Sequence, residues 1–174
     1  TTIPLYHKEQ FNLSEFQTGL LLTLNGILVF FLEMPIVSYI EKHKINKLKV
    51  ITYGCLAMAI SIYLLLVNNW AGILIIMMIF MTFAEMFAFP FSNSFAMSRA
   101  PKGHEGRYMA IFTMSYSLAH ILSAKTGLEI IDRFSYQSNW LFMGTLGIIG
   151  TLLFFWVIQL VKKEPLTYLI TKKE

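Results

Sequence analysis

Residues Trp70–Ser98 read WAGILIIMMIFMTFAEMFAFPFSNSFAMS, twenty-nine positions with a single ionisable side chain, Glu85. About 20 residues of α-helix cross the hydrocarbon core of a bilayer, so this stretch is long enough to span one. A run facing lipid has no water to satisfy its N–H and C=O groups, and the continuous helix satisfies them within the segment. Barrel strands would be shorter and would alternate apolar with polar residues, which this stretch does not do. The segment therefore reads as a membrane helix.

Four further stretches share that character. With Trp70–Ser98 they place spans at about 16–40, 50–67, 70–98, 108–131 and 140–161. The first carries Glu33, the second and last carry no charge, and the fourth carries His120, Lys125 and Glu129. Residues 1–7 resemble the end of a truncated span, 8–161 form the helical bundle, and 162–174 form a polar, basic tail. The chain starts at Thr1 without an initiator Met, and a longer parent chain is expected. The predicted fold class is an all-α integral membrane protein, a polytopic bundle of about five full transmembrane helices.

Composition agrees. Of 174 residues, 56% are hydrophobic and 14% charged, where a soluble domain holds about a quarter charged. A chain this small has too much surface for its volume to hide that apolar area. The net charge of +4 gathers in short gaps between apolar runs, which points to lipid headgroups and not to nucleic acid. Lys42, Lys44, Lys47 and Lys49 fill one gap; Arg99, Lys102 and Arg107 another; Lys162, Lys163, Lys172 and Lys173 the tail. The positive-inside rule puts all three on the cytoplasmic side. Trp70 and Trp140 open spans at the outer side, where interfacial aromatics sit.

Chemistry-bearing candidates are the ionisable groups inside spans, because a charge at the bilayer centre costs about 2.5–3.5 kcal/mol even on the lenient insertion scale. Glu85 lies mid-span, too deep for a glutamate to reach either interface. It loads and releases protons, or it is a protonated acid bonded to a neighbouring helix. Pro90, five residues on, removes a backbone donor and is a candidate bend, as is Pro35 beside Glu33. Glu33 suits an inner gate or helix packing better than proton transfer. Asn25, next to Gly26, contacts substrate or bonds another helix. Lys125 and Glu129 share a helix face; Lys125 snorkels outward or sets a charge in the outer cavity. His120 has a pKa range suited to proton coupling, although a lone His more often packs. His7, His43 and His104 read as loop residues.

Other site types are missing from the sequence. There is no Gly-rich phosphate loop, nucleophile elbow or metal-spaced His/Cys/acid cluster, so no cofactor, metal or enzymatic activity is expected. Cys55, the only cysteine, reads as inert packing.

Several local patterns then fall in order. Tyr6, Phe11–Glu15 (FNLSE) and Thr18–Leu21 (TGLL) precede Pro35 and Glu41–Lys42. Phe83–Met86 (FAEM) with Pro90 comes next, followed by Ala100–Pro101, Gly106–Tyr108 (GRY), Gly127, Ile131–Asp132 and Trp140. Together they resemble the C-terminal half of a major facilitator superfamily transporter, from the end of helix seven to helix twelve, and within it the bacterial drug–proton antiporter-like members. Val37 stands where the loop motif usually has Gly, and Glu41–Lys42 where it has Asp–Arg.

The resemblance implies half of a major facilitator fold, an N-terminal six-helix half as partner, and a small-molecule site between the halves exposed alternately to each side. It implies Glu41, Lys42 and Arg107 as cytoplasmic gate residues and Glu85 as a cavity residue for proton coupling or cation recognition. The implied activity is secondary active transport, proton-coupled efflux in a bacterial cytoplasmic membrane with the C-terminus inside. Nutrient uptake by symport and a non-transporting scaffold subunit are the alternatives.

Overall fold

In the computed structural model, residues 2–67, 70 and 72–163 are described; 164–174 of the expected tail, with Lys172 and Lys173, lie outside them. Six helices follow one another: α1 (Thr2–Phe11), α2 (Glu15–Lys42), α3 (Lys47–Leu64), α4 (Gly72–Arg99), α5 (Glu105–Arg133) and α6 (Tyr136–Lys162). No strand occurs among the described residues. The protein is an all-α membrane bundle.

Local chemistry sets the helix ends. Ser14 caps α2 by accepting from the Gln17 N–H, while the Gln17 side chain accepts from the Ser14 N–H; this reciprocal box satisfies two donors that the first turn otherwise leaves free. Asn46 accepts from the Leu48 N–H at the head of α3, and Ser135 from the Ser138 N–H at the head of α6. α2 ends with Lys44 at φ 51°, its N–H donating to Glu41 O and that of Ile45 to Ile40 O, the paired bonds that close a helix through one left-handed residue. α4 stops before Pro101, which disfavours helix at the residue it follows. Pro35 and Pro90 both lie inside helices that continue past them.

α3 begins at Lys47 and ends at Leu64, three residues ahead of the apolar run expected at 50–67. Lys47 and Lys49 are good helix formers behind an Asn cap, and apolarity alone does not define the helix. Leu65, Leu66 and Val67 are apolar but close as turns onto Ile62, Tyr63 and Leu64. His7, read as a loop residue, is helical and fully buried in α1. α2, α3, α4 and α6 are each long and apolar enough to cross a membrane. α5 is the longest at 29 residues and the most polar of the long helices.

α3 is the axis of the packing, held between α4 and α6. Its contacts are made through small residues. A Cβ on Gly54 would meet Ala88 N and Ala84 O at 3.0 and 3.1 Å, and one on Gly147 would meet Ala59 Cβ at 2.9 Å. Such close backbone approach is how helices associate in lipid, where no hydrophobic force drives them together. Bulky clusters close the two ends. Ile40, Leu48, Val50, Ile51, Phe91 and Ile158 pack near the basic loops; Tyr6, Leu65, Leu74, Met77 and Trp140 pack at the other end. α2 and α5 lie outside this frame. Only Thr18 and Ile40 of α2, and only Gly127 of α5, are buried.

Candidate functional site

Glu85 faces α2. Its Oε2 accepts from Asn25 Nδ2 at 3.2 Å, and the same amide nitrogen donates to Thr82 Oγ1, also at 3.2 Å. Thr82, fully buried, spends its own proton on Met78 O one turn back. Its lone pairs are thus turned to the amide. The α4 spacing explains the arrangement: Thr82 and Glu85 are three apart, hence on one face, and Asn25 meets both. Two residues singled out separately in the sequence therefore form one interhelical contact. Glu85 Oε1 makes no hydrogen bond among the described residues, and the side chain is only partly buried.

One turn further along α4, Phe89 meets α5. Its ring lies edge-on to Tyr116 with centroids 5.8 Å apart. Tyr116 in turn meets the His120 ring at 5.0 Å, and its hydroxyl lies 3.3 Å from His120 Nε2. His120 is exposed within this chain apart from its contact with Tyr116. The Asn25–Glu85 contact and the Phe89–Tyr116–His120 series make a continuous polar and aromatic strip across α2, α4 and α5. Phe89 and Tyr116 were not singled out beforehand, although Tyr116 and His120 share the four-residue spacing that marked Lys125 and Glu129.

The other candidates are not drawn into this strip. Lys125 and Glu129 are exposed on α5, and Glu33 is half-buried on α2. Among the described residues the side chains of these three make no hydrogen bond or ion pair. At the cytoplasmic end Glu41 approaches Lys47, at 3.8 Å. Lys42 and Arg107 are exposed and do not join it. Lys47 also donates to Ser94 Oγ at 2.5 Å. It thereby ties the end of α2 and the start of α3 to α4. Lys47 had registered only as a loop charge, because nothing local points from it to Ser94, 47 residues away. Near Arg107, the Glu105 carboxyl is held below the usual carboxylate range, chiefly by its own backbone N–H and next by that of Gly103. No group of three or more His, Cys, Asp or Glu with metal-holding geometry occurs among the described residues.

The described residues form a bundle with four helices long and apolar enough to cross a membrane, and a polar and aromatic strip lies over three of its helices. The sequence profile of the Major Facilitator Superfamily matches residues 1–172, and the chain belongs to that superfamily. It is 27% identical over 139 residues to the uncharacterised MFS-type transporter YttB of Bacillus subtilis (strain 168), a match covering 79% of this chain and 34% of that protein. The chain thus spans about a third of the length of this relative. No solved structure matches it.

Proposed function

We propose that this chain is the C-terminal half of a proton-coupled secondary transporter that exports small amphipathic molecules, with Glu85 as its proton-binding carboxylate. The observation that carries the reading is the Asn25–Glu85 contact. A mid-helix carboxyl is held through one oxygen at 3.2 Å while the other is left unengaged on a partly exposed face. Proton exchange at Oε1 then leaves the bond between helices in place, because Oε2 accepts from the amide whether the group is charged or neutral. Membership of a transporter family supports the same reading.

The partner is an N-terminal six-helix half, seated against the open faces of α2 and α5. The substrate lies between the halves near the midplane, against the strip that runs from Asn25 to His120. Alternating access follows from rocking of one half against the other. Glu41, Lys42 and Arg107, with Lys47, hold the cytoplasmic side closed by charge contacts that break on switching. The protein resides in a bacterial cytoplasmic membrane with its C-terminus inside.

The test is Glu85→Gln in the full-length transporter, in inverted membrane vesicles carrying a pH gradient, with ethidium as substrate. Wild type dissipates the gradient on substrate addition, and the variant inserts normally but does not. Retained coupling in the variant rejects the role of Glu85, and a pH change of opposite sign indicates symport.

A further inference from the structure

The junction where α1 meets α5 and α6 contains a polar group unrelated to the Glu85 strip. His7 and Asn139 are both fully buried. Neither His7 ring nitrogen, and neither the Asn139 amide nitrogen nor its oxygen, has a hydrogen-bond partner among the described residues. The two lie on helices that touch beside them. His7 follows Tyr6 and Asn139 precedes Trp140, and the Tyr6 and Trp140 rings meet edge-on at 5.2 Å. Asn139 Oδ1 is also turned towards α5, lying 3.4 Å from where a Cβ on Gly127 would stand.

With Trp140 Nε1, five orphaned atoms gather on these residues, and they are expensive. A buried donor or acceptor left without a partner costs about 1–3 kcal/mol. The atoms themselves state what would satisfy them. A neutral imidazole offers one donor and one acceptor, and an amide offers both. The matching occupant is neutral and both donates and accepts. A cation would leave the amide and imidazole N–H donors unmet. An anion would have to pass the acidic side chains of Glu9 and Asp132, which line the opening beside the junction.

That opening is the second observation. A cavity of roughly 490 Å³ lies at this end of the bundle, lined by Tyr6, Glu9, Asp132, Ser135 and Tyr136 among others. Tyr6 and Tyr136, two of its lining residues, both pack on the Trp140 ring, next to Asn139 in the chain. The cavity is polar and roomy enough for several waters, each of which needs two to four polar partners.

We propose that the α1–α5–α6 junction is a hydrated site. Water is bound by His7 and Asn139 and exchanges with the polar cavity at the outer end, so that solvent enters the bundle beside α1 independently of the Asn25–Glu85 strip.

Hydroxyl-radical footprinting with mass spectrometry reads this directly, because radicals formed from bound water label the side chains around it. The protein is held in lipid nanodiscs and two tryptophans of the same helix are compared. Trp140 is 3% exposed and Trp156 is 62% exposed on α6. A hydrated junction labels Trp140 at least severalfold faster than Trp156, with His7 oxidised alongside. Trp140 labelling then falls to the Trp156 rate in the double variant His7→Leu, Asn139→Leu. Wild-type labelling of Trp140 no faster than Trp156 overturns the proposal, and that comparison does not depend on the variant folding. Undiminished Trp140 labelling in a folded double variant overturns the assignment of the water to these two residues.

Discussion

Replacing Gly147 with Ala places a methyl carbon 2.9 Å from Ala59 Cβ and 3.2 Å from Ala59 Cα. Carbon atoms prefer about 3.5–4.0 Å, and neither Ala59 atom can swing aside, since both are fixed to the α3 backbone. Gly150, three residues along the same helix, has nothing within 4 Å of its own Cβ position. Both changes bring the same gain in helix propensity, about 1 kcal/mol, so their difference isolates the collision between α3 and α6. Overpacking of this kind costs about 1–3 kcal/mol. Unfolding of the purified protein by sodium dodecyl sulfate in mixed micelles, followed by circular dichroism, should rank Gly147→Ala below Gly150→Ala by that amount. Adding Ala59→Gly, which removes the nearer atom, should restore part of the loss. Equal stability of the two single variants would refute the packing of α6 on α3 through Gly147.

Three other outcomes are expected. Asn25→Leu removes both interhelical bonds, and stability in the same assay should fall by about 0.6 kcal/mol per bond, with about 1.7 as the upper bound; an unchanged midpoint argues against the α2–α4 contact. Ser14→Ala opens the capping box and should cost about 1 kcal/mol, seen as faster hydrogen exchange at the Gln17 amide, while unaltered exchange there rejects the cap. Lys44→Cys, in a Cys55→Ser background, should react with a membrane-impermeant maleimide only when the cytoplasmic face is exposed, as the basic loops require; labelling of intact cells reverses the topology.

The helices were legible because the bilayer imposes a simple rule: long runs such as Trp70–Ser98 have nowhere to satisfy their backbone except within a helix. Where apolarity and helicity part company the reading slipped, as at Leu65–Val67, apolar residues that form turns, and at Lys47, a charged residue that starts a helix. Individual polar candidates were also visible, since Glu85 and Asn25 are conspicuous in apolar surroundings. Their partnership was not, because 60 residues separate them and periodicity along one helix says nothing of which neighbour it meets. The same gap hid the Lys47–Ser94 bond, and it hid the burial of His7, which only the assembled bundle creates.

The unequal burial of the helices has a consequence for how such a protein can change over generations. α3 meets α4 at Gly54 and α6 at Gly147, where an added methyl would collide with the neighbouring helix, whereas the side chains of α2 and α5 have few neighbours within this chain. Away from contacts such as Asn25–Glu85 and Phe89–Tyr116, a new residue on either outer helix alters which chemical groups are on display while leaving the packing of α3 untouched. The exposed faces of those two helices can drift quickly, while the three interlocked helices that keep the molecule upright stay as they are.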